Sequence, residues 1–462
     1  MKITRLIGKT LLAALAVTSL SVSAANVDLA AARSAAARFL QHKAPASFNG
    51  APASAIKLAH AEAIQGSGNA YYVFNIDGGG WVIVAGDDRA KEVLAYGDRG
   101  NIDVNEMPAS MKGQLGMYKK QIEKMQSYNG RLEANKATRR IDAVAPLTTI
   151  TWGQNEPMDR WCPMKGTKRT AVGCGPLAMA QIVYYWKYPA GCDRILGYYV
   201  SMDIGSLPNL EATTFDYDLM MDSYTIYDPE TGRFYLKNFT DEQAEAVAKL
   251  CRYCGQACNA RYGNSGTSTG SYSYDQLAAF KFFGYNENAQ LIGIDPSYYC
   301  DNFGHKYTEE EWLELIFTEL KAGRPIPYHN VDFIDGHAWV LDGIDADGLL
   351  HMNWGYYEKF NGWFELNALS FHPYDDDEVW NFTGDANEMI INLYPPTQHE
   401  SLRGDANGDG VVDIIDVSVL IDYLLDHDET GVDLVGADCD LDEEVAIPDV
   451  STLIDYLLEK EW

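Results

Sequence analysis

A thiol between two glycines at the start of a helical pattern is the most reactive arrangement in this 462-residue chain. The stretch Thr170-Ala-Val-Gly-Cys-Gly-Pro-Leu-Ala-Met-Ala-Gln-Ile-Val-Tyr-Tyr-Trp186 places Cys174 there, with Pro176 suited to a first turn and apolar residues recurring at helical spacing behind it. The open N–H groups and positive dipole end of a helix start favour a thiolate, and a thiolate attacks carbonyl carbon at neutral pH. Such an attack needs a base. Among nine His, His337 stands out in Asp335-Gly-His-Ala-Trp-Val-Leu-Asp-Gly343, where a turn delivers it to the start of an alternating strand. The next strand pattern, Leu349-Leu-His-Met-Asn-Trp-Gly355, supplies Asn353, whose amide can hold an imidazole tautomer, and Trp354, whose indole can shield the pair from water. His351 on that strand sits between Leu350 and Met352 and reads as a packed, hydrogen-bonded side chain.

The remaining thiols read as structural. Cys251, Cys254 and Cys258 share one helical face with no fourth ligand near in sequence, which argues against a zinc site. Cys162, Cys192 and Cys300 fall in loop-like surroundings, where they offer at most one incidental disulfide. Before the reactive segment, 28–42 and 108–125 have helical patterns, and 70–76 and 81–85 read as strands joined by Asp77-Gly-Gly-Gly80. That small α+β unit carries no reactive constellation. The polar, basic stretch Asn135–Asp142 then suits an exposed linker open to proteolysis.

The two ends differ from the middle. Residues 1–24 have basic Lys2, Arg5 and Lys9, a short apolar run 11–20 and small residues before Ala25, the layout of a secretory signal peptide. No other apolar run approaches a membrane span, so the sequence predicts an exported chain without a transmembrane segment. Lys+Arg is 36 against 66 Asp+Glu, a formal net charge of −30 that repels phosphate backbones and makes nucleic acid a poor partner. About half of that charge lies in residues 403–462, where 18 acidic residues face only Arg403 and Lys460.

This tail repeats itself at an offset of 33 residues. In the first copy Asp405, Asn407, Asp409, Val411 (through its carbonyl), Asp413 and Asp416 occupy loop positions 1, 3, 5, 7, 9 and 12, and Gly410 stands at position 6. Oxygen ligands at that spacing followed by a helix suit a flexible Ca²⁺ shell. The second copy offers Asp438, Asp440, Asp442, Glu444 and Asp449, but Glu443 replaces the glycine and Ala446 stands at position 9, so a lower affinity is expected. A duplicated Asp-rich loop with an amphipathic helix after each copy resembles the dockerin module, which implies a cohesin-bearing scaffold or surface protein as partner.

The central segment resembles the streptopain family of secreted bacterial cysteine proteases. The likeness runs from the strand pair 71–86, similar to that family's inhibitory propeptide, through 145–395, and three motifs carry it. These are Trp152-Gly-Gln-Asn-Glu-Pro157, Val172-Gly-Cys-Gly-Pro-Leu-Ala-Met-Ala-Gln181, and Gly336-His-Ala-Trp-Val-Leu-Asp-Gly343 with His351-Met-Asn-Trp-Gly355 and Gly362-Trp-Phe364. The resemblance implies a papain-like fold with Cys174 as nucleophile, His337 as base, Gln154 as oxyanion donor, and Asn353 with Trp354 orienting and covering the imidazole. It implies no catalytic cofactor. The usual Asn-Trp-Gly-Trp-Gly-Gly becomes Asn353-Trp-Gly-Tyr-Tyr-Glu358, a bulkier and acidic loop that unsettles any borrowed subsite preference.

The expected architecture is therefore α+β: a signal peptide over 1–24, an inhibitory α+β propeptide over 25–140, a papain-like cysteine peptidase domain over 141–397, and a small all-α dockerin over 398–462 with Ca²⁺ as a structural ion. The expected activity is that of a secreted cysteine endopeptidase made as a zymogen and acting on proteins or peptides. Cys, His and a polar orienter serve other papain-like acyl transfers equally well, so a transglutaminase or peptidoglycan amidase is an alternative reading, and a non-catalytic subunit of a surface complex is another.

Overall fold

The computed structural model describes residues 26–42, 53–128, 132–134, 142–296, 298–330, 336–369, 371–373, 387–396, 402–408, 410–427, 431–442 and 444–459. The expected signal segment, the linker 135–142 except Asp142, and the candidate ligand Asp409 lie outside the described residues.

The N-terminal unit is a four-stranded antiparallel sheet clamped between two helices. Strands β1 (Ile56–Ala63), β2 (Asn69–Ile76), β3 (Trp81–Ala85) and β4 (Val93–Gly97) pair in sequence order. Helix α1 (Leu29–His42) lays Ala32, Ala35, Ala36 and Leu40 on one face, against Tyr72, Phe74, Val82 and Val84. Helix α2 (Ala109–Ser127), which follows Pro108, packs Met111, Leu115, Tyr118 and Ile122 into the core on the other side.

The central unit divides into a helical lobe and a sheet. The lobe contains α3 (Cys174–Trp186), α4 (Asp241–Ala257) and α5 (Ser273–Phe282), packed around a core that includes Trp152, Leu177, Val183, Leu250 and Phe280. The sheet holds β5 (Gln290–Gly293), β6 (Ile326–Asn330), β7 (His337–Ile344), β8 (Leu350–Asn353), β9 (Gly362–Phe364) and β10 (Asn387–Ile391), with α6 (Glu309–Lys321) against it. Capping boxes start α4 at Thr240 with Gln243 and α6 at Thr308 with Glu311, which satisfies otherwise open helix N–H groups.

The two sheets are one. The strand order is β1-β2-β3-β4-β9-β8-β7-β6-β10-β5, and the junction pairs Tyr96 with Trp363 and Ala95 with Phe364. A single core runs across it, joining Trp81, Leu94 and Tyr118 to Trp339, Trp354 and Phe364. Polar contacts reinforce the seam. The Gln114 amide donates to the Glu365 carbonyl at 3.0 Å, the Ala368 N–H donates to Gln121 at 2.9 Å, and Lys91 pairs with Glu365 at 2.8 Å. At its far end Arg99 pairs with Glu358 at 2.7 Å.

The C-terminal unit has its own small core of Val417, Leu420, Ala437, Cys439 and Leu453 under α7 (Ile414–Asp426), the single turn α8 (Leu434–Ala437) and α9 (Ile447–Glu459). It touches the central unit where the Tyr394 hydroxyl donates to the Gly408 carbonyl at 2.6 Å. All eight Cys are free thiols. Among the described residues no helix is long and apolar enough to cross a membrane.

A Cβ on Gly362 would overlap the Tyr96 carbonyl and meet the Trp81 ring at 2.9 Å. Gly362→Ala is therefore expected to loosen the seam, at a cost of about 1–3 kcal/mol for overpacking. In a Cys174→Ala background, limited proteolysis of full-length protein should release the N-terminal unit faster than in the parent. Gly113→Ala, in open space on α2, is the control that should not accelerate release.

Candidate active site

Cys174 is the first residue of α3, and the turn before it requires glycine. Gly173 stands at φ 97°, in the left-handed region, and a Cβ there would meet the Thr269 carbonyl oxygen at 2.7 Å. A Cβ on Gly175 would overlap Ser271 and Gln276. The strand-like segment Thr269–Ser271 therefore lies against both neighbours of the thiol. Cys174 is half-buried. Burial pushes its thiol pKa up, while the backbone N–H groups of Ala338, Gly175 and Cys174 itself pull it back down. Ala338 follows His337 at the head of β7, so the helical lobe delivers the thiol to the point where the sheet delivers the imidazole.

Gln154 is fixed beside them. Its carbonyl accepts from the Val172 N–H at 2.9 Å, two residues ahead of Cys174. Its side chain bonds Tyr356, whose hydroxyl is pushed up by burial and by the neighbouring Cys174. Gly153 and Tyr356 form a backbone bridge, and the Asn155 N–H donates to the Tyr357 hydroxyl at 3.1 Å. The bulky loop noted in the sequence thus packs directly on the Gln154 segment. Tyr357, Glu358 and Phe360 all have φ between 58° and 69°, and strain of this kind in non-glycine residues persists only where the surroundings over-determine it.

Asn353 and Trp354 form the wall behind. The Asn353 amide nitrogen donates to the Ile150 carbonyl at 2.6 Å and to Gln181 at 3.0 Å, and its oxygen accepts from the Gly355 N–H at 3.2 Å. Trp354 packs its ring, tilted at 50°, 4.8 Å from that of Trp339, two residues along β7 from His337. His351 instead bonds Asp342 at 2.6 Å and leans on Trp363.

Sequence reasoning missed three neighbours of the site. Tyr356 was visible only as a bulky replacement within a familiar motif. Gln276 bonds Ser271 at 3.1 Å and His329 at 3.1 Å, and this network underlies Gly175. His329 pairs across the sheet with Ala338, and burial pushes it down to about 4, so it stays neutral at neutral pH. No local signal in the sequence marks His329 off from the other His.

The arrangement can activate a thiol and hold an oxyanion. Residues 152–364 match the Peptidase C10 family, residues 24–122 match the Spi protease inhibitor, and residues 403–458 match the Dockerin type I domain. Its central segment is thus similar to peptidases of the C10 family. The chain is 27% identical over 324 residues to streptopain of Streptococcus pyogenes serotype M28, a match covering 66% of this chain and 75% of that one. It is likewise 27% identical over 322 residues to the thiol protease/hemagglutinin PrtT of Porphyromonas gingivalis, covering 65% of this chain and 34% of PrtT. The solved structure of a Prevotella intermedia prointerpain A fragment is similar at 26% identity with a TM-score of 0.57, covering 74% of this chain and 99% of the fragment. The enzyme is a cysteine peptidase with an inhibitor-type N-terminal unit and a dockerin.

The dockerin residues fit a hard cation that takes oxygen ligands. In the second loop, carboxylate oxygens of Asp438, Asp440 and Asp442 lie within 4.8 Å of one another. Asp449 there accepts from Cys439 at 2.7 Å, Asp440 at 3.0 Å and Ala446 at 2.7 Å, as Asp416 accepts from Asn407 and Asp413 in the first. Glu444 lies close by, its N–H donating to Asp442 at 2.9 Å. Leu441 takes φ 63° where the first loop has Gly408 at φ 69°, a strained position for a branched side chain.

Burial holds the Cys174 thiol above the ordinary thiol range in the full-length chain. Its alkylation by iodoacetamide should be slower at pH 7 than that of an unstructured cysteine, and should rise as pH is taken above the ordinary thiol value near 8.5. Cleaving off the N-terminal unit should shift that rise to lower pH. An unchanged profile would mean the unit does not control the thiol.

Proposed function

We propose that this protein is a secreted endopeptidase made as a zymogen, in which Cys174 attacks the scissile carbonyl and His337 is the general base. The observation that carries the reading is the Cys174 thiol at a glycine-flanked helix start, held against the N–H that follows His337. In the mature enzyme His337 takes the thiol proton, and the thiolate adds to a peptide carbonyl. The Cys174 N–H and the Gln154 side chain stabilise the resulting oxyanion. The C–N bond breaks as His337 returns its proton to the departing amine. Water, activated by His337, then cleaves the thioester to a carboxylic acid and restores the thiol. Asn353 Oδ1 keeps a second lone pair for the imidazole N–H, and Trp354 excludes water behind it.

Zymogen control is supported by the grip of the N-terminal unit on the site loop. Arg99 holds Glu358, two residues from the Tyr356 that bonds Gln154. Removing residues 26 to about 140 releases that loop. Export is supported by the basic-then-apolar pattern of residues 1–24.

Docking to a cohesin-type partner through a Ca²⁺-loaded module is supported by exposed apolar side chains repeated at the same 33-residue offset: Ile414, Ile421 and Leu425 on α7, Ile447, Ile454 and Leu458 on α9. Asp405, Asn407, Asp409, Val411, Asp413 and Asp416 would hold the first ion, and Asp438, Asp440, Asp442, Glu444 and Asp449 the second.

Casein hydrolysis under reducing conditions tests the reading. Activity should appear as an N-terminal fragment is lost, and Cys174→Ala should abolish both. Gln154→Ala should reduce kcat by about 10² to 10³ with little change in KM. Hydrolysis that survives Cys174→Ala would sink the assignment. Chelation with EGTA should abolish cohesin binding and leave casein turnover by the processed enzyme intact; loss of turnover would mean the ion also supports the peptidase unit.

A further inference from the structure

Away from Cys174, the helical lobe contains a cavity of about 370 Å³ lined by Arg160, Trp161, Pro163, Leu207, Pro208, Leu210 and Arg252. Its walls are apolar and its charges are not equivalent. Arg160 at the rim is neutralised by Glu156 at 2.7 Å and Asp241 at 3.1 Å, with Glu245 at 3.9 Å. Arg252 is only 4% exposed, and its polar partners among the described residues amount to the Tyr262 hydroxyl at 3.4 Å and the Tyr262 ring face at 5.3 Å. The groups that feel its charge are Cys162, Tyr198, Tyr253 and Tyr262, all neutral at pH 7. A guanidinium cannot shed its proton, so a buried one without a carboxylate is costly unless something else supplies the anion. The protein as a whole has a net charge of −30, which makes a cation left without a counter-charge here the more telling.

We propose that this cavity binds an organic carboxylate, its two oxygens on Arg252 and its apolar body between Trp161, Leu207 and Leu210. A planar guanidinium meets a carboxylate through two parallel N–H donors, and the remaining lining suits a hydrocarbon side chain. Two sources share this chemistry: small free acids, and the C-terminal end of a peptide. The second rests on the peptidase reading, because each hydrolysed bond creates a new chain ending in a carboxylate. The site also touches the catalytic helix, since Tyr262 and Pro176 both pack on Gly255, one turn along α4 from Arg252.

Isothermal titration calorimetry on full-length Cys174→Ala protein tests the site without relying on turnover, so its failure and that of the peptidase reading are distinguishable. The probes are N-acetyl-leucine, its amide, and acetyl-Ala-Ala-Leu with a free C-terminus. At least one of the two acids should bind at a single site and the amide should not. Arg252→Met should weaken acid binding by at least about tenfold, the scale of a lost charged hydrogen bond, while the unliganded protein melts no lower than the parent. Leu210→Trp, which fills the cavity and leaves Arg252 in place, should also abolish binding and serves if the first variant fails to fold. A tripeptide acid that binds tenfold tighter than N-acetyl-leucine assigns the site to chain ends; equal binding, or binding of the small acid alone, assigns it to free acids. The proposal is overturned if neither acid binds, if the amide binds as well as the acid, or if binding survives Leu210→Trp.

Discussion

The architecture depends on one short strand junction. β9 is only Gly362–Phe364, and without β4 it would be the open edge of the peptidase sheet. An exposed edge offers unpaired N–H and C=O groups to any passing strand, a liability that proteins cover or blunt. Here the cover is the N-terminal unit, which adds four strands and shares one apolar core with the sheet it covers. Such a unit is not a plug set on a finished surface. Its Tyr96 and Ala95 complete the ladder, and Gln114, Gln121 and Lys91 satisfy the chain that leaves β9.

That junction explains how a distant domain can govern the thiol. The chain entering β9 is the strained loop of Tyr356 to Phe360, and its two ends are held by different partners. Tyr356 and Tyr357 bond the Gln154 segment, while Glu358 is held by Arg99. Cys174 itself feels opposing effects, desolvation raising its pKa and three N–H groups lowering it, so a small gain in solvent access changes the balance. Control through this loop needs no inhibitory side chain inside the cleft.

The local features were legible in the sequence and the long-range ones were not. Helix α3 was readable because Gly173, Cys174 and Pro176 mark a helix start chemically, and the apolar period behind them has one interpretation. The same holds for α1, α2, β2 and β3, whose patterns match the observed elements to within a few residues. Pairing of β4 with β9 joins residues more than 260 positions apart and leaves no periodic trace. The Asn353 bonds to Ile150 and Gln181 are equally non-local, as are the contacts of Tyr356 and the neutral His329. Composition also hid the cavity at Arg252, because the charge of an arginine is visible in sequence and the absence of its partner is not.

The bond from Tyr394 to the Gly408 carbonyl bears on how the enzyme would work once docked. A module on a loose tether lets its enzyme sweep a volume set by linker length. Seating the first acidic loop on the peptidase unit instead restrains where α7 and α9 stand relative to the cleft. On the proposed docking, a chain anchored this way would have a footprint on its support: substrates standing at the right height and facing the right way would be cut, and neighbours just as close but wrongly turned would be spared.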